Sequence, residues 1–150
     1  MNAIELLKAD HEKVKSLFKE AEAAEGNNWE LFEKIREELD VHTHIEEEIL
    51  YPRIKKVEEL TDIVLEGVEE HHQAKVVMRE IAALSKESDK FEPKLMVLME
   101  NVEHHIKEEE EEMFPKIEKL IAEEELEELG RQLAAEKRSF SRTMTGRAAN

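Results

Sequence analysis

The sequence predicts an all-α protein, an up-down-up-down four-helix bundle with a short extra C-terminal helix. Charged residues make up 40% of the 150 residues, and only four glycines and three prolines interrupt the chain. This composition favours long helices over sheet. Apolar residues recur at spacings of three and four in four long segments. Because short polar joints separate these segments, consecutive helices are expected to pack antiparallel.

The first two predicted helices form one hairpin. Apolar positions between residues 4 and 18 mark the first helix, which is predicted to end near Gly26 because glycine commonly follows a helix. The second helix runs from Trp29 to about residue 57. Pro52 lies inside its apolar pattern, and we expect a kink there because proline cannot donate a backbone hydrogen bond.

The third and fourth predicted helices form a second hairpin. Thr61 or Asp62 is predicted to cap the third helix, because short polar side chains bond free backbone N–H groups at that position. Ser88-Asp89, with Pro93 shortly after, opens the fourth helix. The two hairpins therefore cover roughly residues 3–58 and 61–120.

A shorter fifth helix is predicted over roughly residues 124–138, and residues 139–150 have the composition of a polar, frayed tail. The expected domain therefore comprises residues 1–138. At 150 residues the chain is about one domain long, and it can bury a substantial core.

Charge and composition exclude several classes of function. The 22 basic and 38 acidic residues give a net charge of −16, so we expect neither a nucleic-acid nor a membrane partner. The absence of cysteine excludes disulfides, thiolate nucleophiles and iron–sulfur clusters. The first residues lack the pattern of a targeting signal, and no apolar stretch is long enough to span a membrane. We therefore expect a cytoplasmic protein.

Two segments of the chain repeat the same chemistry at an offset of 63 residues. Each has a histidine, a glutamate four residues later and an aromatic-proline pair: His42, Glu46 and Tyr51-Pro52, then His105, Glu109 and Phe114-Pro115. Residues four apart lie on one face of a helix, and here that face also carries apolar residues. Each pair is therefore predicted to form half of a metal site, the alternative being a local salt bridge.

Four histidines have a glutamate at the fourth following position, so this spacing is weak evidence by itself. The repeat separates them. His44 aligns with a lysine and His104 with a valine, whereas the pairs of His42 and His105 align with each other. We interpret His44 and His104 as solvated or salt-bridged side chains.

The first and third helices each add one candidate histidine. Asp10-His11 and Glu70-His71 share an acidic residue, a histidine, and apolar residues three, six and seven positions after the histidine. His72 competes with His71 because it shares much of the same helix face. The match between Glu70-His71 and Asp10-His11 favours His71 as the ligand.

Distances along the helices place the candidates at one level of the bundle. His11 lies 15 residues before the first joint, centred on residue 26, and His42 lies 16 after it. His71 lies 18 residues before the third joint, centred on residue 89, and His105 lies 16 after it. These mismatches are at most about half a helical turn. Across the middle joint, centred on Leu60, Glu46 and His71 lie 14 and 11 residues away, a mismatch of about 4–5 Å. All four helices therefore bring polar core residues to roughly one layer.

Buried carboxylates would cost several kcal/mol each unless a cation compensates their charge. Imidazoles and carboxylates without sulfur suit iron, manganese or zinc, and they disfavour magnesium or calcium. Two glutamates from different helices at one level could each bridge two ions. The predicted site is therefore dinuclear, with the metal ligands His11, His42, Glu46, His71, His105 and Glu109.

These motifs together resemble the hemerythrin-like, or HHE cation-binding, domains, and the likeness extends from Ile4 to about Arg138. The resemblance implies a non-haem centre of two iron ions, Fe²⁺ or Fe³⁺, bridged by carboxylates and an oxo or hydroxo group. It also implies interaction with dioxygen, in carriage, in oxygen or iron sensing, or in stress defence. By this resemblance the terminal ligands are His11, His42, His71 and His105, and the bridging carboxylates are Glu46 and Glu109.

One position departs from the oxygen-carrying members of that family, which have a second histidine four residues after the third-helix ligand. This chain has Lys75 after His71 and Val76 after His72. A fifth imidazole is therefore missing, or His72, His104 or a carboxylate takes its place. Open coordination positions for water or a small ligand are the expected consequence.

The preferred interpretation is a binding protein for dioxygen or another small diatomic ligand, with no catalytic residue. The alternatives are iron storage and an oxidase or peroxidase. An enzyme would also need a positioned proton donor, and Tyr51 is the only tyrosine. We interpret Tyr51 as a packing residue because its counterpart Phe114 has no hydroxyl.

Overall fold

The computed structural model describes residues 1–149, with side chains to Met144, and 86% of the chain is helical. The helices are α1 (Ala3–Ala23), α2 (Trp29–Ile45), α3 (Tyr51–Ile54), α4 (Glu58–Ala82), α5 (Phe91–Glu108), α6 (Phe114–Leu120) and α7 (Glu123–Ala149). No β-strand occurs within the described residues, so the prediction of an all-α protein is confirmed. None of the described helices combines the length and the apolar character that a membrane span requires.

Two π-helical segments connect α2 to α3 and α5 to α6. They are Glu46–Leu50 and Glu109–Met113, and each begins at a predicted bridging glutamate. The N–H of Tyr51 bonds the carbonyl of Glu46, five residues back, and Phe114 bonds Glu109 in the same way. The following prolines cannot donate such bonds, and the wider turn accommodates that loss. The disturbance predicted at Pro52 therefore takes the form of a π-helical turn just before it.

The predicted ends of the helices are confirmed in one place and wrong in another. α1 ends at Ala23, and Gly26 follows with φ +70°, a left-handed conformation that favours glycine. The predicted cap of the third helix is wrong, because α4 already begins at Glu58. The Thr61 hydroxyl lies inside the first turn and donates back to the carbonyl of Lys55, at 2.9 Å.

The C-terminal helix is not short. α7 spans 27 residues and continues beyond Arg138 to Ala149. One reason is packing: the ring of Phe140 stacks on the imidazole of His44, with centroids 3.8 Å apart. Because this contact is made on another helix, the polar composition of the segment did not predict it. The domain boundary after Arg138 stays a prediction, and Asn150 lies outside the described residues.

Two apolar clusters flank a polar layer in the interior. Asp10 and His11 of α1 lie between the two clusters. Before them, α1 contributes the buried apolar residues of positions 3–7 to one cluster, and after them Val14 and Phe18 to the other: Ala3, Ile4, Leu6 and Leu7 are the members of the first. α1 packs against α2 and α7, and α4 packs against α5. α7 completes the first cluster with the buried side chains of Leu126, Leu129 and Leu133. The packing thus fixes the height of the polar layer from both sides.

Candidate metal centre

The six predicted metal ligands converge in the polar layer. They come from α1, α2, α4, α5 and the first residues of the two π-helical segments. All are at least 93% buried: His11, His42, Glu46, His71, His105 and Glu109. Their convergence in a dry interior agrees with the prediction from helix heights.

The six side chains form two groups of three. His11, His42 and Glu109 make one group, Glu46, His71 and His105 make the other, and the ligand atoms within each lie within 4.8 Å of one another. Each group therefore offers two imidazole nitrogens and one carboxylate oxygen, a donor set that suits a transition-metal ion.

Each glutamate also reaches across to the other group. The Oε1 atom of Glu46 lies 3.0 Å from Nε2 of His71 and 3.3 Å from Nε2 of His42. The Oε1 atom of Glu109 lies 3.0 Å from Nε2 of His11 and 3.6 Å from Nε2 of His105. Oε1 of each glutamate thus lies close to one histidine of each group.

The outward-facing nitrogen of every site histidine is held by a carboxylate. The Nδ1···O distances are 2.6 Å for His11 and Glu110, 3.1 Å for His42 and Asp10, 3.1 Å for His71 and Glu47, and 2.7 Å for His105 and Glu70. An ionised carboxylate can only accept, so Nδ1 donates, and Nε2 faces the centre, where it can bind either a proton or a metal ion. This is the usual way in which proteins orient metal-binding imidazoles.

Sequence reasoning did not assign a role to these four carboxylates, although the repeat contains a signal for them. Asp10 and Glu70 precede the lone histidine of each hairpin, and Glu47 and Glu110 directly follow the two predicted bridging glutamates. The first two bond a histidine within their own hairpin, and the other two bond a histidine of the opposite hairpin.

The electrostatics of the centre fit a bound cation. Nε2 of His42 and Oε2 of Glu46 are buried without a hydrogen-bond partner among the described residues. Such atoms are costly in a core unless something binds them. Burial lowers the pKa of His105, but the carboxylates of Glu109, Glu46 and Glu70 outweigh burial and raise that pKa to about 10. Burial raises the pKa of Glu46, but His42 and its other partners bring it well below its ordinary value. In the metal-free protein, protonated imidazole therefore compensates the negative charge of the buried carboxylates.

Tyr51 is more than a packing residue, which corrects the sequence interpretation. Its hydroxyl donates a 2.7 Å hydrogen bond to Oε2 of Glu109, and its ring stacks on His71. Burial, with Glu109 and Glu46 nearby, raises the pKa of Tyr51 well above its ordinary value, so the hydroxyl stays protonated. Phe114 stacks on His11 in the same way, which explains the aromatic repeat. Phe114 has no hydroxyl, so comparing the two repeated segments could not reveal the hydrogen bond of Tyr51 to Glu109.

The structure places the remaining histidines outside the centre. His72 and His104 are exposed, and neither side chain joins the two groups. His44 bonds Glu136 on α7 at 2.7 Å. Lys75, which stands where the oxygen carriers have a histidine, contacts Glu47 at 3.3 Å and thus reaches His71 only indirectly.

A small apolar cavity adjoins the two groups. The site histidines His11, His42, His71 and His105 line it together with the apolar side chains of Val14, Leu39, Ala74, Val102 and Ile106. Its volume of about 20 Å³ has room for roughly one water-sized molecule. The centre therefore has space beside it for one small molecule.

Fold and site together define a helical cation-binding protein with a buried centre of histidines and glutamates. The chain belongs to the hemerythrin HHE cation-binding domain family, whose sequence model matches residues 2–117. A crystal structure of an HHE cation-binding domain-containing protein from Mycobacterium kansasii has a similar fold. Its TM-score is 0.82 at 28% identity, and the match covers 95% of this chain and 89% of that one.

Relatives by sequence are of several kinds. An uncharacterized protein of Mycobacterium tuberculosis is 30% identical, over 90% of this chain and 84% of its own length. An uncharacterized hemerythrin-like protein of Schizosaccharomyces pombe is 30% identical over 79% of this chain and 57% of its own. A protein of Nostoc named as a DNA nickase is 28% identical over 99% of this chain and 42% of its own. The chain thus spans about half the length of the last two relatives.

Proposed function

We propose that this domain binds two iron ions and interacts with dioxygen or another small diatomic ligand, as a binding, sensing or stress-defence protein. The observation that carries the proposal is the pair of three-residue groups whose glutamates each contact histidines of both groups. In this proposal the four histidines are terminal ligands, and Glu46 and Glu109 bridge the ions. The helices α1, α2, α4 and α5 form an up-down-up-down bundle around them.

The donor set supports a transition metal, and the family supports iron. Four imidazoles and two carboxylates disfavour calcium and magnesium, whose sites are oxygen-rich. The resemblance to hemerythrins favours iron over manganese or zinc. When bound, iron would supply a reversible change of oxidation state and open positions for a small ligand.

The residues of this chain would orient the ligands and control access. The carboxylates on Nδ1 keep each imidazole turned toward the centre. The apolar lining of the cavity excludes bulk water and limits the size of an entering molecule. With His72 and His104 on the surface, no fifth imidazole is at hand within the described residues, which supports open coordination positions.

Two further proposals concern the surroundings of the domain. The net charge of −16 supports a domain without a nucleic-acid or membrane partner. The cytoplasm is its proposed location. The Nostoc relative is more than twice as long as the matched region, so its nickase name gives no support to nicking by this domain.

Metal analysis of the aerobically purified protein, together with its visible spectrum, tests the proposed function. We expect about two irons per chain and the absorption of bridged ferric ions. Apoprotein reconstituted with ferrous iron under anaerobic conditions should change this absorption when oxygen is admitted. A chain that binds no metal after reconstitution, or only one ion, would contradict the proposal.

An oxidase or peroxidase is a second candidate, and Tyr51 is the observation that favours it. The geometry gives it a candidate for the positioned proton donor that such an enzyme needs, because the buried Tyr51 hydroxyl donates to Glu109. The donor lies on the side of the centre formed by the π-helical segments, because its acceptor is the first residue of the second segment.

Replacement of Tyr51 by phenylalanine separates the two candidates. The metal-free variant is expected to lose about 1.5–3 kcal/mol of unfolding free energy, because a hydrogen bond to a buried charged acceptor disappears. Urea unfolding measures this loss. In an enzyme, peroxide consumption should also fall about 100-fold or more at unchanged iron content. A wild-type protein without peroxide turnover would favour the binding protein.

A further inference from the structure

We propose that Lys137, on α7, is a positioning residue for the metal centre, acting through Asp10 on His42. The inference rests on the proposed metal-binding function and deepens it. It adds to the centre a helix that lies wholly beyond residue 117, where the match to the family's sequence model ends.

A continuous chain of contacts joins Lys137 to the centre. Nζ of Lys137 lies 2.5 Å from Oδ1 of Asp10, and Oδ2 of the same carboxylate accepts from Nδ1 of His42 at 3.1 Å. The two oxygens of Asp10 thus have different partners. Nε2 of His42, at the other end of the ring, points to the group formed with His11 and Glu109.

Burial makes this arrangement depend on Lys137. The side chain of Asp10 is only 6% exposed, so its carboxylate cannot be solvated freely. Without the lysine, Oδ1 would lose its hydrogen-bond partner, and the carboxylate would no longer be held in one orientation from both sides. Since the bond to His42 needs the present orientation of Asp10, the imidazole would then lose its fixed direction.

α7 holds Lys137 in place by contacts that do not involve the lysine. Leu126, Leu129 and Leu133 are buried in the core, with 1%, 5% and 0% exposure. Gly130 lies so close to the N-terminal backbone that an added Cβ would come within 2.3 Å of the Met1 carbonyl oxygen. The helix therefore stays docked when Lys137 is replaced, and the Lys137 side chain is itself 35% exposed.

The opposite group has a different arrangement, which predicts an effect on one ion only. There Lys75 contacts Glu47, which accepts from Nδ1 of His71. Lys75 belongs to α4, the helix that also carries His71, so that group needs no support from α7. Loss of Lys137 should weaken the ion held by His11, His42 and Glu109, and leave the other ion unchanged.

The test compares Lys137→Met, Lys137→Arg, Asp10→Asn and the double variant Asp10→Asn/Lys137→Met by anaerobic titration with ferrous iron. We expect Lys137→Met to weaken one of two binding steps about ten-fold, the lower end of what such outer partners contribute. Lys137→Arg should restore much of that loss. Asp10→Asn should weaken the same step, and adding Lys137→Met should cause no further loss, because both act through one contact. Arg131→Met removes an equal charge from α7 and should change neither step, because within the described residues the Arg131 guanidinium pairs only with Glu128.

A measurement on the metal-free protein keeps this inference separate from the proposed function. The ¹⁵N resonances of the His42 ring should shift or broaden in Lys137→Met and remain unchanged in Arg131→Met. Two unchanged iron-binding steps in Lys137→Met would overturn the inference, even if the wild type binds two irons. If the wild type bound no metal, the proposed function would fail, and unchanged His42 resonances would then overturn the inference as well.

Discussion

Replacement of Glu46 or Glu109 by alanine is expected to remove both ions, not one. Each carboxylate contacts histidines of both three-residue groups, so the loss of either one affects two ion positions together. We expect affinity at both positions to fall by more than about 100-fold, beyond the effect of losing an outer partner. Iron content after dialysis, measured for each variant, checks this result.

Matched controls come from the same π-helical segments. Glu48→Ala and Glu111→Ala remove exposed glutamates related by the same offset of 63 residues, and both variants should keep the wild-type iron content. Retention of two irons in Glu46→Ala or Glu109→Ala would show that these carboxylates do not bridge. Loss of iron in the controls would show that other glutamates of these segments hold the metal.

Removal of the metal is expected to lower the melting temperature more at pH 8 than at pH 5.5. Metal that binds only the folded chain stabilises it by about 2.7 kcal/mol at a free concentration of 100 times Kd. For a chain of this length, that corresponds to a loss of about 5–10 °C on chelation at pH 8. Ligating histidines must be neutral, so acid weakens the metal and reduces this difference.

The metal-free protein is expected to lose stability as the pH rises above neutrality, whereas stabilisation by the metal increases. The folded-state pKa of His105 is raised from 6.5 to about 10, so its contribution is complete below pH 6.5 and is lost as the pH rises toward 10. The folded-state pKa of Glu46 is lowered well below 4.5, so its contribution is present above pH 4.5 and is lost on acidification through the folded pKa. The metal-free protein should therefore be most stable between about pH 4.5 and 6.5.

Melting curves of metal-loaded and chelated protein from pH 4 to pH 9 check both statements. The two curves should approach each other below about pH 6 and diverge above it. Identical melting temperatures at pH 8 with confirmed metal loss would contradict a stabilising metal. A metal-free protein that becomes steadily more stable from pH 6 to pH 9 would contradict the imidazolium–carboxylate pairs.

Much of the centre could be predicted because, in antiparallel helices, residue numbers determine the face and the height of each side chain. A histidine and a glutamate four residues apart lie on one face, and equal distances from a joint place residues at one level in antiparallel neighbours. These two rules, together with the 63-residue repeat, identified six residues that do converge. The repeat separated His42 and His105 from His44 and His104. Composition alone was sufficient for the all-helical class.

The length of α7 was not predictable from composition. Residues 139–150 carry few apolar side chains, and the contact that Phe140 makes is with His44, almost a hundred positions earlier. The predicted cap of the third helix was wrong because α4 begins at Glu58, before Thr61. The Thr61 hydroxyl therefore donates back to the carbonyls of Lys55 and Val57.

The sequence by itself therefore determined the helical class, the family and the six residues of the polar layer. The tertiary structure decided which nitrogen of each imidazole faces inward, since that depends on the carboxylate behind each ring. It also decided that the Tyr51 hydroxyl reaches Glu109 and that Lys137 reaches Asp10. The physical reason is that periodicity along one helix specifies a face and a height, whereas side-chain orientation depends on partners brought near by other helices.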